Sequence, residues 1–369
     1  MEPTTFPDGP RPSRAAREAQ RRHRRWIGAL IVVAVLVAAG AFVVTQGDEP
    51  AASASPTPGA SPAAGGDGSS MLALQVTGAP TPYLAIVAAA TEGHDPAVIP
   101  IRPDLTIVMP GQGETEIRDV ATLPASSVRT ALSNMAGVWL SHYAVMSVSD
   151  LADAITASGG LDVTLTRAFP TKAGPIGPGQ VTMTGPQVRA FLTGTTDDGP
   201  ERWEIVLTSM LADPPAFAAD QIDETDDADA AAEVVTGAQG AQVMDIPTVS
   251  VAGTVVVPQY RAFDQQMAQA FGTPIPIPAI VQNGNGEPGV GESVATALIP
   301  AGFRVALSQN AQSFDVEATD IFANGTDNEA KAKAARRALG VGRVRVSQVP
   351  SGIGDITIVV GKDYTVEGN

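Results

Sequence analysis

The sequence predicts an N-terminal transmembrane helix followed by two folded units, a layered α/β domain with a mixed sheet and then a small α+β domain. Three observations carry this. Residues 26–46 form one uncharged run, long enough to cross a bilayer. Beyond residue 71, short apolar runs alternate with stretches of helical periodicity. A proline-rich stretch, residues 273–277, separates that region from a second compact series of strands and helices.

The chain starts with a basic tail. Residues 1–25 hold seven arginines against Glu2, Asp8 and Glu18; the chain's other 16 basic residues face 36 acidic ones. The run "WIGALIVVAVLVAAGAFVVTQ" at 26–46 follows directly. About 20 residues rising roughly 1.5 Å each span a hydrocarbon core of about 30 Å. Arginines before such a span hold the N-terminus in the cytoplasm, which predicts a single-pass protein of the cell membrane with extracytoplasmic folded domains. The tail is then a topology signal, and no nucleic-acid partner is expected. The run is longer than the apolar core of a signal peptide and follows a longer polar head, so it is read as an uncleaved anchor.

Residues 47–70, "GDEPAASASPTPGASPAAGGDGSS", carry almost no large apolar side chain and read as a disordered linker. From 71 to 272 the strands are "MLALQV", "YLAIVAAA", "AVIPI", "LTIVM", "LDVTL" and "GQVTM". Val128, Leu132 and Met135 recur at helical spacing, as do Leu151 and Ile155 before the Gly159-Gly160 stop. Further helices are "GPQVRAFL", "ERWEIVLTSMLAD" and the one closing the region in "YRAFDQQMAQAFG". Alternation of this kind builds layers of helices on a sheet.

The second unit, 278–364, reads strand by strand. "PAIVQN" is a strand, "VGESVATALIPAG" a helix ending at Gly302, and "FRVALSQN" and "ATDIFAN" are strands. "NEAKAKAARRALG" is a helix, and "RVRVSQV" and "DITIVVG" are strands. The order β-α-β-β-α-β with an extra edge strand predicts a ferredoxin-like, split βαβ arrangement.

Several motifs lead away from cofactors. Gly284, Gly286 and Gly289 spell G-x-G-x-x-G between a strand and a helix. A dinucleotide site also needs an acid about 20 residues on and another crossover helix after the second strand; this segment has neither. The glycines are read as a tight turn. Residues 220–235 cluster carboxylates without the spacing or central glycine of a calcium loop. There is no cysteine, and the three histidines, 23, 94 and 142, have no metal-ligand or triad spacing. Trp139, Trp203 and Tyr143 read as core, and His142 as a packed residue at a strand start.

Residues 278–364 resemble the LytR C-terminal domain. The resemblance rests on "NGNGEPGVGES", "AGFRV", "KAARRALG" and "ITIVVGKDY". Residues 71–272 resemble, more distantly, the LytR–CpsA–Psr (LCP) domain, through "MAGVWLSHYAVMSVSDLADAITASGGLDVTL", "IGPGQVTMTGPQVRAFL" and "IPIRPDLTIVMPG". The resemblance implies a membrane-anchored transferase that moves a glycopolymer from a polyprenyl-pyrophosphate carrier onto peptidoglycan with Mg²⁺. Cleaving such a linkage needs cations around the oxygens and a carboxylate for metal or acceptor. Most of the family's charged positions are replaced. Thr81 or Pro82 stands at the first aspartate, Pro103 at an arginine with Arg102 displaced by one, and Thr193 and Thr195 at an arginine pair. Ile205 and Val206 follow Arg202 where Arg-Gln is the pattern. Asp104 and Arg202 match.

The sequence therefore predicts a degenerate, non-catalytic LCP-like scaffold or binder of polyprenyl-linked glycopolymer in cell-envelope assembly, requiring no cofactor. Its expected partners are the membrane, such a glycopolymer, peptidoglycan or active LCP enzymes. The alternative is an active phosphotransferase with a residual catalytic set of Asp104, Arg102 and Arg202, joined by Arg189, and with Mg²⁺. In a third reading the function lies mainly in the C-terminal unit, where Lys331, Lys333, Arg336 and Arg337 on one helix form a candidate polymer-binding face.

Overall fold

The computed structural model describes residues 71–194, 198–213, 222–253, 255–347 and 351–366. The predicted transmembrane helix, the linker and Thr195 lie outside the described residues. Among those described, no helix is long and apolar enough to cross a membrane. The described residues other than 250–253 belong to one compact unit, which holds the folded core and the candidate site.

Its first half is built on β1 (Met71–Thr77), β2 (Tyr83–Ala88) and β3 (Ala97–Ile101). Next come β4 (Thr106–Met109), β5 (Gly113–Glu116), α1 (Ile117–Val120), α2 (Ala125–Ala136), β6 (His142–Ser147) and α3 (Val148–Ala157). β7 (Leu161–Leu165) and β8 (Gly179–Met183) form a hairpin, followed by α4 (Gly185–Leu192) and α5 (Gly199–Ala212). β9 (Glu224–Thr225), α6 (Ala228–Gly237), β10 (Gln242–Val243), β11 (Thr248–Val251), β12 (Val255–Pro258) and α7 (Tyr260–Phe271) complete it.

The main sheet runs β10-β3-β2-β1-β6-β9. β1 is antiparallel to β2 and parallel to β6, so the expected mixed sheet is present. β2 is buried along its whole length because helices cover both faces of the sheet. Leu72, Leu74 and Val76 of β1 pack on one side with Leu151, Val188, Trp203 and Val235 from α3 to α6. Met71 and Ala73 point the other way, towards Val120, Leu132 and Phe263 of α1, α2 and α7. The helix starts are set locally: the Ser147 hydroxyl accepts from the Asp150 amide at 3.1 Å, and Asp227 accepts from the Ala230 amide at 3.1 Å.

The second half comprises β13 (Ile277–Asn283), α8 (Val290–Leu298), β14 (Phe303–Asn310), β15 (Asp320–Asn324), α9 (Glu329–Leu339), β16 (Arg343–Ser347) and β17 (Ile356–Val360). Gly302, in the left-handed region, ends the α8 segment as read from the sequence. The order β14-β13-β17-β15-β16 corrects the ferredoxin-like expectation. β13 lies directly beside β14, and β15 beside β16, both in parallel, so neither βαβ unit is split. The extra strand β17 is central, parallel to β13 and antiparallel to β15. The physical reason is in the side chains: uncharged "ITIVV" tolerates two neighbours, whereas "RVRVS" with its exposed arginines suits an edge.

The two halves meet through a buried polar contact. Arg304 of β14 forms a bidentate pair with Asp264 of α7, at 2.8 and 2.5 Å, and donates to the Asn134 and Met135 carbonyls at 2.9 and 3.0 Å. The Asn134 side chain accepts from the Val305 amide at 2.7 Å and donates to the Val108 and Val305 carbonyls. A Cβ on Gly137 would stand 2.5 Å from the Arg304 guanidinium, so only glycine leaves room there. The start of α8 also rests on the β4–β5 turn. A Cβ on Gly291 would collide with the Gly111 backbone, and the Gly111 amide donates to Ser308 Oγ at 2.8 Å. The glycine-rich turn thus leads into a packed helix start.

Candidate functional site

A groove of about 1160 Å³ opens where the ends of several segments converge. The start of β2, the β3–β4 loop, α1, the start of α5 and the segment after β10 line it. Thr81, Pro82, Arg102, Pro103 and Asp104, each singled out from the sequence, all line it.

Its charge is the opposite of what phosphate chemistry asks. Among the described lining residues, Asp104, Asp198, Glu201, Glu204 and Asp245 stand against Arg102 and Arg118. Arg102 donates to Asp104 at 3.1 and 2.7 Å, an exposed pair that raises the arginine's pKa chiefly through that hydrogen bond. Arg118 pairs with Glu116 at 2.7 Å. Burial first, then Asp245 and Glu201, push the Glu204 carboxyl up.

Arg202 is not a lining residue. It is fully buried beneath the groove wall. Its Nε donates to Asp198 at 2.7 Å, Nη1 to the Phe191 carbonyl at 2.9 Å, and Nη2 to the Pro170 carbonyl at 2.9 Å and to Asp198 at 3.2 Å. The guanidinium also lies over Phe169 and Phe191, 5.4 and 5.0 Å from the ring centroids. It therefore ties α5 to the end of α4 and to the loop at Pro170. Arg189 is exposed and donates to Ser149 Oγ, away from the groove lining. The structure thus brings Arg102 and Asp104 together and keeps Arg202 and Arg189 apart from them.

The floor is aromatic and closed. Tyr83 stacks on Trp203 at 5.3 Å and donates to the Leu192 carbonyl at 2.9 Å. Burial, opposed by Arg202 and reinforced by Asp198, pushes the Tyr83 hydroxyl up to about 12. Trp203 is buried, as core was expected to be.

Asp198, Glu201, Glu204 and Asp245 were not singled out from the sequence. Asp198 and Arg202 are four residues apart at a helix start, a spacing that signals pairing. Nothing local marks Asp245, which reaches the groove from a distant segment. Among the described residues no three His, Cys, Asp or Glu side chains stand close enough together to hold a metal ion.

On α9 the cations differ. Lys331 pairs with Asp355 at 2.6 Å and donates to Asn328 at 2.9 Å, and Lys333 pairs with Glu329 at 2.6 Å. Arg336 and Arg337 are exposed.

Residues 276–364 match the family model described as "LytR cell envelope-related transcriptional attenuator", which bears out the resemblance drawn for 278–364. No curated protein matches the chain. Among solved structures it is similar to TagV of B. subtilis at 13% identity, covering 55% of this chain and 96% of that one, with a TM-score of 0.45. It is also similar to the LytR-CPS2A-psr family protein YwtF (TagT) with bound octaprenyl pyrophosphate lipid, at 11% identity, 55% and 90% coverage and a TM-score of 0.45. A transcriptional regulator from Enterococcus faecalis is similar at 14% identity, 55% and 87% coverage and a TM-score of 0.45. At these values no activity is carried over from any of the three.

Proposed function

We propose that this chain is a membrane-anchored, extracytoplasmic protein of cell-envelope assembly. In this reading an LCP-like domain precedes the C-terminal domain and acts as a non-catalytic scaffold or binder in glycopolymer handling. The LCP motifs and the family match over 276–364 support the setting. The single observation that supports the non-catalytic part is the groove's charge. Five carboxylates line it against two arginines, Arg102 and Arg118, each already held by a carboxylate; Arg202 and Arg167 are taken up by Asp198 and Glu201, Arg202 from inside the fold. Transfer from a pyrophosphate carrier needs several cations aimed at the oxygens that gain charge. Neutral parts of a polyprenyl-linked saccharide meet no such barrier.

The test is to incubate the protein with a polyprenyl-pyrophosphate and Mg²⁺ and to follow both phosphate release and thermal shift. No turnover is expected. Turnover that disappears in Asp104→Ala would replace this reading with the transferase one. Fractionation of a C-terminally tagged protein tests the anchor: a shortened, freely soluble product would refute it.

A further inference from the structure

The chain carries little positive charge beyond its first 25 residues, and what it carries is concentrated. Of the 16 basic residues there, six lie in the 15 residues 331–345, a segment with no acidic residue. In the fold this segment is α9, its Gly340 stop and the edge strand β16. Val344 turns towards the core under α9, so Arg343 and Arg345 project from the opposite face of the sheet. Among the described residues one carboxylate, Asp320, pairs with both, Arg343 Nε at 2.9 Å and Arg345 Nε at 3.0 Å, two cations on one anion. Arg336 and Arg337 stand exposed on the last turn of α9, seven and six residues before Arg343 on the chain. The outer edge of β16 has no strand neighbour among the described residues. Cations thus flank an open strand edge on both sides of the sheet.

Two ordinary roles account for part of this. Arginines in a last turn offset the helix dipole, and exposed pairs solvate an edge. Neither role needs four arginines around one corner of a strongly acidic chain. Such a corner attracts polyanions, and open backbone amides add donors along the edge. The segment has no aromatic side chain on which a base could stack. We infer that the corner formed by Arg336, Arg337, Arg343 and Arg345 binds a linear phosphodiester-linked polymer without bases. The choice of polymer rests on the extracytoplasmic reading above. In this arrangement the C-terminal domain, not the acidic groove, recognises phosphate.

The test titrates the full-length protein in detergent micelles with a synthetic poly(glycerol phosphate), reading the dissociation constant at several salt concentrations. Neutral dextran and an oligodeoxythymidine serve as comparators. Binding is expected for the phosphate polymer and not for dextran. Arg336→Gln with Arg337→Gln should weaken it about tenfold and lower the salt slope by roughly 0.7 for each phosphate no longer neutralised. Arg343→Gln with Arg345→Gln should weaken it as well. Lys172→Gln with Arg261→Gln removes the same charge elsewhere and should leave binding intact. Absence of binding, an equal loss in the Lys172/Arg261 control, or tighter binding of the oligonucleotide would each overturn the inference. The outcome separates from that of the groove: turnover of a polyprenyl-pyrophosphate with normal polymer binding removes only the non-catalytic reading, and no binding with no turnover removes only this one.

Discussion

Arg202→Met separates a structural arginine from a phosphate-binding one. The substitution removes the guanidinium while keeping much of the side chain's volume. It breaks a pair whose arginine is fully buried and whose Asp198 partner is 15% exposed. The Phe191 and Pro170 carbonyls lose their 2.9 Å donors, and the packing over Phe169 and Phe191 goes with them. Asp198 still has Arg167 at 3.2 Å. Breaking a buried pair from one side costs about 3–5 kcal/mol, and each orphaned buried acceptor about 1–3 kcal/mol. The terms overlap, so the expected loss is about 3–5 kcal/mol. Arg202→Lys should recover only part, because an ammonium cannot reach Asp198 and two carbonyls with one planar fork. Equilibrium urea unfolding followed by tryptophan fluorescence measures this, since Trp203 is adjacent to Arg202 in α5. A loss below about 1 kcal/mol, together with abolished binding of a polyprenyl-pyrophosphate, would refute the reasoning and return Arg202 to the site.

Three other substitutions probe the remaining interactions. Asp264→Ala leaves Arg304 buried without its carboxylate and should cost about 3–5 kcal/mol, with faster limited proteolysis between residues 272 and 277; an unchanged cleavage rate would contradict the role given to this pair. Gly291→Ala drives a Cβ against the Gly111 backbone and should destabilise by about 1–3 kcal/mol in thermal unfolding, whereas a neutral effect would show that α8 can move off the turn. Tyr83 ionises at about 12 in the fold against about 10 when unfolded, so the stability it contributes is complete below pH 10 and is lost as pH rises through 12. Tyr260 and Tyr143 are also raised, chiefly by burial, so phenolate absorbance should lose one of several late-titrating tyrosines in Tyr83→Phe.

Much of the fold was legible because each element reports locally. The spacing of Val128, Leu132 and Met135 forecasts α2, and all three are buried. Gly302 and Gly340 sit in the left-handed conformation at the helix ends where the sequence puts stops. The failure of the G-x-G-x-x-G context checks was also a local matter, and Gly291 shows what the adjoining helix start does instead. The order of strands was not legible in the same way. "ITIVV" could sit at an edge or in the centre as far as its own pattern goes, and the competition with "RVRVS" for a neighbour is settled only when both meet β15.

The candidate site divides along the same line. The sequence singled out Thr81, Pro82, Arg102 and Asp104, and the fold brings these four to one groove. The groove's charge was not legible, because Asp245 and Glu204 come from segments about 40 residues apart, and neither is marked by a motif. The sequence by itself determined the identity of the elements, the C-terminal module and the scarcity of cations after residue 25. Tertiary structure alone decided that Arg202 turns inward, that β17 is central and that carboxylates gather at the groove. Periodicity and capping record hydrogen bonds made within a few residues; which charges meet depends on long-range packing that brings remote segments together.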